Sequence, residues 1–582
     1  MHSALALKHL TKLPTALRKR AMAAAGGDTE ELRALTAVKP STTNASHILP
    51  LYYAGLDDSA IPSLVAQLDC SEDLPLLTRR LSRIVLCLQG LLLLDSKDSL
   101  PGPSSVWPHI WRRVWPWLDF LNIHRDTLPQ LPNISYIHPL SLVNVLGKNE
   151  ETAKLIHLTP GFRILAFRFW TLSFDQTHLV SIQGAFEVFC VYMQNCLLTI
   201  TEDHDFEEAI EGSGGSRTSL ARLLVNHVKC AVQSTVISPG VFSMRGVIGL
   251  LQARCDMDAS FRKILIDEGI VAVFTAAACR FASPPFSAHD NLFNVSFAIK
   301  YYLRTAFGHK IVTQAVRSGL LRALLTWGRM IPPKPQSLQQ LDDILTILSG
   351  SFVYLSVLLQ LKTSIDELDI PIDGHTFRGF PVSDRWEALW SLLESRWALM
   401  KVYMAREEPS VKSACNNVAC SIIRPRSEFQ CCSACRESRY CSRACQIHDW
   451  RRGGHREMCG WSLDDNADSA TKRDRSFLRV LLHEDYLKLQ NRILRDQLAF
   501  LRSSPGTAFY VKFDYCTPYG DCAASVEAAS AFPLDNVMWQ HEIARARESG
   551  GRLQTHVMRL ADGGCDAVWV FSLCAAKAER TR

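Results

Sequence analysis

Apolar residues recur at three- and four-residue steps along the first two thirds of the chain. The stretch LPLLTRRLSRIVLCLQGLLLL (74–94) is typical, and that period lays them on one face of an α-helix. The same pattern predicts further helices centred near residues 113, 165, 190, 223, 247, 267, 298, 317, 350 and 393. Pro and Gly clusters punctuate them: PGPSS, EGSGGS, SPPFS and IPPKPQS. EGSGGS reads as a flexible loop. Few segments alternate as strands do, so residues 31–406 are expected to form one helical domain in a mainly α protein. Helices of similar length without strands suggest an α-solenoid-like, armadillo- or HEAT-like array, in which each pair buries its apolar face on the next. No repeat of solenoid length shows self-similarity.

Three segments admit a second reading. Residues 1–30 are basic, with no acid before Asp28. They read as a first amphipathic helix, with a transit peptide as the alternative. VWPHIWRRVWPWLDFL carries four tryptophans. They read as a packed helix pair with Arg112 and Arg113 facing water, against an aromatic binding surface. Ile344 to Leu361 holds 18 residues without a charge, approaching membrane-spanning length. Thr346, Ser349, Gly350, Ser351, Ser356 and Gln360 interrupt it, so a buried helix of a stack is expected and no membrane association.

After residue 459 the pattern changes. LDDNADSATKRDR reads as a polar linker, and SFLRVLLHEDYLKLQNRILRDQLAFLR as a long helix with a regular apolar stripe. GTAFYVKFDY, LQTHVMRLA and DAVWVFSL have strand composition. Residues 473–582 are thus expected to form a short α+β C-terminal region.

Composition adds little to this. The 582 residues are 47% apolar and 21% charged, ordinary for a globular chain. A net charge of +6 does not by itself argue for nucleic acid or an acidic membrane. Of the 19 cysteines, eleven are scattered: Cys70, Cys87, Cys190, Cys196, Cys230, Cys255, Cys279, Cys516, Cys522, Cys565 and Cys574. Most sit among apolar neighbours and are read as reduced core residues. With no secretory signal visible, the expected location is intracellular, in the nucleus or the cytoplasm.

The other eight cysteines crowd into residues 415–459 with two histidines, His448 and His455. The segment is polar and too poor in apolar residues to build its own core. A structural zinc site fills four tetrahedral positions with Cys or His. The segment supplies four pairs: Cys415 with Cys420, Cys432 with Cys435, Cys441 with Cys445, and His455 with Cys459. Two Zn²⁺ ions are expected, and metal binding would supply the folding energy that the segment lacks. Spacing leaves sequential and interleaved pairing equally open. Cys431 and His448 stand as possible substitutes.

YCSRACQIHDWRRGGHREMC (440–459) resembles the second half of a MYND-type zinc finger, in the form found in fungal MYND-finger proteins with a long helical region before the finger. That resemblance implies interleaved sites. One ion would take Cys415, Cys420, Cys441 and Cys445; the other Cys432, Cys435, His455 and Cys459. It also implies a groove for short proline-rich peptides at Ser442, Gln446 and Trp450, Gln446 hydrogen-bonding peptide backbone and Trp450 packing on proline rings. Trp450 could equally cap the finger's own core. The sequence departs from the family pattern in wider gaps between Cys415 and Cys420 and between Cys445 and His455.

Eight ligands saturate both ions and leave no open position for catalysis. No P-loop, Gly-x-Ser-x-Gly or His-Glu-x-x-His motif occurs. The cofactor and Cys-x-Cys motifs of SET-type lysine methyltransferases, some of which carry MYND fingers, are missing too, so no enzyme is expected. Eight arginines (Arg424, Arg426, Arg436, Arg439, Arg443, Arg451, Arg452 and Arg456) make a DNA-associated transcriptional regulator the alternative. Four acids, seven thiolates and two Zn²⁺ reduce the loaded module to about +1, and arginines beside metal-bound thiolates often serve as their outer partners. The expected function is protein recognition, by the finger and by the helical array as a second surface.

Overall fold

A computed structural model of the chain describes every residue except 1, 69–73, 95–99, 126, 129–136, 176–201, 234–257, 283–288, 306–307, 331–334, 369, 406–411, 421, 436–437, 460–470, 533–536, 550–552, 564 and 575–582. The chain divides into two compact units, Met1–Ile270 and Val271–Arg582. The helices predicted near 190 and 247 lie outside the described residues, as do Cys70, Cys190, Cys196, Cys255 and most of the polar linker.

In the first unit every regular element among the described residues is helical. The basic N-terminal segment forms two 3₁₀ turns and the helix Thr15–Ala25, and packs inward through Leu5, Leu10, Leu13, Ala21 and Ala24. The helix Leu74–Leu93 packs on Thr29–Thr36 and Thr42–Gly55. The tryptophan-rich stretch is one helix, Trp107–Ile123, rather than a pair; Pro116 sits within it. Its aromatic face is core: Trp107, Trp111 and Trp117 are at most 1% exposed. Trp111 donates to Thr159 Oγ1 (2.9 Å) and Trp117 to the Leu56 carbonyl (3.0 Å). Arg112 faces water as expected, whereas Arg113 turns back to Asp57 at 3.1 Å. Of EGSGGS, Glu211 and Gly212 end the helix Asp203–Gly212, and residues 213–216 form the turn to Arg217–Gln233.

Several predicted helices prove to be two. The patterns near 267 and 317 each break at a glycine, Gly269 (φ +92°) and Gly319 (φ +102°). Both are left-handed, a conformation that costs any side-chain-bearing residue and commonly ends helices. The apolar run near 350 breaks where Pro335–Gly350 gives way to Leu355–Asp366, a bend of 118°. Among the described residues no single helix is long and apolar enough to cross a membrane. Of the scattered cysteines, Cys87 is buried, while Cys230, Cys279, Cys516 and Cys522 are half-buried.

The second unit holds the later helices, the cysteine-rich segment and the tail. The cysteine-rich segment has two minimal antiparallel ladders, β1 (Lys412–Ala414) with β2 (Ile423–Pro425) and β3 (Gln430–Cys431) with β4 (Arg439–Tyr440). The tail builds a sheet of β5 (Phe509–Asp514), β6 (Ala523–Ala528), β7 (Leu553–Asp562) and β8 (Cys565–Cys574) in the order β6-β5-β7-β8. β5 and β7 are parallel; the other pairs are antiparallel. The helix Val537–Glu548 lies between β6 and β7 in sequence and packs on β7. Three of the four strands follow the predicted segments; β6, AASVEA, was missed because alanine and serine carry little strand propensity.

Buried polar contacts tie the tail to the helices of its own unit. Asp474 closes a capping box with Thr471 at the start of the long helix Lys472–Ser503. It is 1% exposed, and its Oδ1 also accepts from the Ser356 amide (2.8 Å) at the start of Leu355–Asp366. Asp485 of the long helix accepts from Tyr515 (3.0 Å) and from Arg396 (3.5 Å) of Ser383–Ala405. At the end of β7, Asp562 Oδ1 accepts from the His309 amide (3.1 Å) and lies 3.0 Å from His309 Nδ1. These contacts all lie within Val271–Arg582.

Candidate metal centre

Each ligand pair owes its position to a local turn. Cys415 and Cys420 lie in the connection between β1 and β2, where Cys415 N donates to Ile422 O (3.1 Å) and Cys420 N to Asn417 O (2.8 Å). Cys432 and Cys435 lie in the connection between β3 and β4, with Cys432 N donating to Ser438 O (2.9 Å). Cys441 precedes the helix Arg443–Arg452 and Cys445 sits in its first turn. Ser442 is that helix's N-cap; its Oγ accepts from Cys445 N (3.3 Å). His455 opens the short helix His455–Met458 and Cys459 ends it. Gly454, at φ +79°, reverses the chain between the two helices.

These turns bring the eight residues into two groups of four that could hold metal ions: Cys415, Cys420, Cys441 and Cys445, and Cys432, Cys435, His455 and Cys459. Within each group all ligand atoms lie within 4.8 Å of one another. Cys420 and Cys441 sulfurs are 3.6 Å apart, Cys441 and Cys445 3.5 Å, Cys432 and Cys459 3.6 Å, and Cys435 Sγ is 3.8 Å from His455 Nε2. A tetrahedron with metal–sulfur bonds of about 2.3 Å has edges near ~3.8 Å, so the donor sets fit zinc. The grouping is interleaved, first pair with third and second with fourth. Neither substitute takes part: Cys431 is exposed on β3, and His448 is exposed on its helix.

The thiols of each group share protons unevenly. Burial pushes Cys415 upward and Cys459 up to about 12. At Cys432 burial acts the same way, but hydrogen bonds from His455 and from the Cys435 and Ala434 amides outweigh it and hold the thiol at about 6. Burial likewise opposes, and bonds from Asn417 and Ser442 outweigh it, at Cys445, which lies at about 7. A cation deprotonates coordinating thiols outright.

Around the ligands runs a buried network that sequence reading did not find. His455 Nδ1 is 3.2 Å from Ser438 Oγ, which leaves Nε2 toward Cys435. Tyr440, fully buried, donates to Asp449 Oδ2 at 2.7 Å. Asp449 is 0% exposed; burial raises its carboxyl above the usual range, against the opposing pull of Arg545 and Tyr440. Arg545 comes from Val537–Glu548, with Nη2 donating to Asn416 O (2.6 Å) and Nη1 3.9 Å from Asp449 Oδ2. On the same helix, His541 Nε2 lies 3.2 Å from Gly453 O. Asp449 had a sequence signal: it stands four residues after Cys445, so the two share a face of Arg443–Arg452. Arg545 had none, being some hundred positions away. Of the arginines in this segment, Arg424, Arg443, Arg451, Arg452 and Arg456 are exposed, and Arg439 is half-buried. Arg436 lies outside the described residues.

Ser442, Gln446 and Trp450 follow one line along Arg443–Arg452, adjacent to the ligand line. Ser442 and Gln446 are half-buried. Trp450 packs edge-on against His455 (centroids 5.6 Å, 66°) yet remains 38% exposed. No family model, curated protein or solved structure matches the chain.

Proposed function

We propose that the two groups bind two zinc ions, that the segment is a MYND-type finger, and that it serves protein recognition through a proline-containing peptide. The observation that carries this reading is the interleaved donor set with a half-exposed indole resting on the ligand His455. With four protein donors in each group, a bound ion keeps no open position, so the metal is structural. Trp450 offers one ring face to a proline, and Gln446, beside it, offers an amide to the peptide backbone. Ser442 contributes by fixing the helix start rather than by direct contact, its hydroxyl being engaged as N-cap. The helices before residue 406 supply a second, solenoid-like interaction surface. The chain acts without catalysis in this reading, in the nucleus or the cytoplasm.

The exposed arginines favour a second reading, contact with DNA phosphates. One titration separates the two. Against a proline-rich peptide, binding of roughly micromolar strength is expected, since a short strand buries little surface and loses entropy on ordering. Trp450→Ala weakens it most without changing zinc content. Gln446→Ala costs about 0.5–1.5 kcal/mol, and Arg451→Ala matters mainly at low salt. Against duplex DNA, the other reading expects losses at Arg451, a steep salt dependence and indifference to Gln446. Absence of peptide binding, or zinc release by Trp450→Ala, defeats the first reading.

A further inference from the structure

The second half of the long helix Lys472–Ser503 holds a row of leucines in solvent. Phe477, Leu478, Leu481 and Leu482 of its first half are buried, whereas Leu487, Leu494, Leu498 and Leu501 are 43–56% exposed. Asn491, also exposed, completes the row. The positions 487, 491, 494, 498 and 501 advance by four and three in strict alternation. That is a repeat of 3.5 residues, the period of a coiled-coil seam. In heptad terms Leu487, Leu494 and Leu501 occupy d, and Asn491 and Leu498 occupy a.

We infer that this face pairs with a second copy of itself as a short, parallel, two-stranded coil. Asn491 argues for a copy as the occupant. In a parallel pair each a position meets its own equivalent, and an amide, both donor and acceptor, is satisfied by another amide but left unpaired by an apolar partner. Charge argues for the orientation. The e positions are Lys488, Arg495 and Arg502, all basic and exposed. Antiparallel pairing sets that row against itself, whereas parallel pairing sets it against g, where the exposed residue is Gln490. The helix is also anchored beforehand, by its buried first half, its capping box and the Asp485–Tyr515 bond. Pairing therefore bears no helix-nucleation cost. The seam runs only from Leu487 to Leu501, about 21 Å at ~1.5 Å per residue. Its area falls below the ~1,200 Å² of stable interfaces, so the dimer is concentration-dependent.

Sedimentation equilibrium of the full-length, zinc-loaded chain, over roughly two decades of concentration around micromolar, tests this. A monomer–dimer equilibrium is expected. Leu494→Glu should weaken it at least ~10-fold by burying a charge in the seam. Asn491→Leu should tighten it about 10-fold, since a polar a residue gives specificity at a cost in stability. Both positions are exposed, so circular dichroism should be unchanged. Arg495→Glu mixed with the unaltered chain should pair no better than either alone; preferential mixed pairing would overturn the parallel orientation. A monomer at every concentration, or a dimer indifferent to Leu494→Glu, overturns the proposal. So does a chain that stays monomeric but binds a synthetic helix with Leu at d, Asn at its central a and Glu on both flanks, which would make the occupant an acidic foreign helix.

Discussion

Replacing Arg545 by methionine should loosen the cysteine-rich segment from a distance of about a hundred residues in sequence. The aliphatic stem is kept, and only the guanidinium is lost. Three consequences follow from the geometry. The Asn416 carbonyl, 2.6 Å from Nη2, loses a charged donor. Asp449, 0% exposed, keeps only the Tyr440 hydroxyl at 2.7 Å and no cation. The side chain that replaces Arg545 sits at a position only 7% exposed to solvent. A hydrogen bond to a charged group contributes about 1.5–3 kcal/mol, and breaking a buried charge pair from one side costs about 3–5 kcal/mol. Because Nη1 and Asp449 are 3.9 Å apart, beyond hydrogen-bonding range, that pair costs less to break than the usual buried one, and the two losses together come to about 3 kcal/mol. If that strain falls on the folded zinc site, the apparent zinc affinity drops by about two decades. Competition with a chromogenic chelator on the full-length protein reads this directly. The control is a double-mutant cycle with Asp449→Asn. Once the carboxylate is neutral, removing Arg545 should cost less by about 1–2 kcal/mol. Unchanged zinc retention in Arg545→Met, or strictly additive effects in the cycle, would refute the idea that Val537–Glu548 holds the metal-binding segment through this network.

Other expectations are more local. Cys432→Ser should release zinc from the second group while Cys431→Ser retains two ions per chain, measured by elemental analysis, because only the first thiol belongs to a donor set. Asp474→Ala removes the acceptor for the Thr471 amide, half of one helix's capping box, and the acceptor for the Ser356 amide at the start of another helix. It should lower the urea stability of Val271–Arg582, in the intact chain, by about 2–3 kcal/mol. Buried His227 and His556 have their pKa lowered to about 3 by loss of solvation. Each favours the fold above its unfolded value near ~6.5, and that contribution is lost as pH falls toward 3. From pH 7 to 5 each should cost about 2 kcal/mol, and His227→Phe should flatten the urea-midpoint profile over that interval; an unchanged profile would refute the buried neutral histidine.

What the sequence determined by itself is whatever local chemistry makes compulsory. Helical periodicity marked most described helices because each must bury one face, whatever it lies against. The eight candidate ligands were legible because metal donors are few in kind and fixed in spacing, and Cys435 or Cys441 has no comparable reason to stand among polar neighbours. Glycine terminators were less legible. Near 267 and 317 the apolar period runs through the turn, and only the positive φ of Gly269 and Gly319 reveals the break. The strand β6 escaped because its alanines are held by backbone pairing to β5, not by propensity. Spacing fits sequential and interleaved pairing alike; the resemblance of residues 440–459 implied the interleaved one, and the tertiary structure groups the donors that way. It decided that Cys432 and not Cys431 faces inward, a choice made by the register of β3 on β4. It also supplied the partner of Asp449. A buried carboxylate must find a donor and a cation, but nothing in a linear chain says that these come from Tyr440 and from Arg545, because the requirement is set by burial and burial exists only after folding.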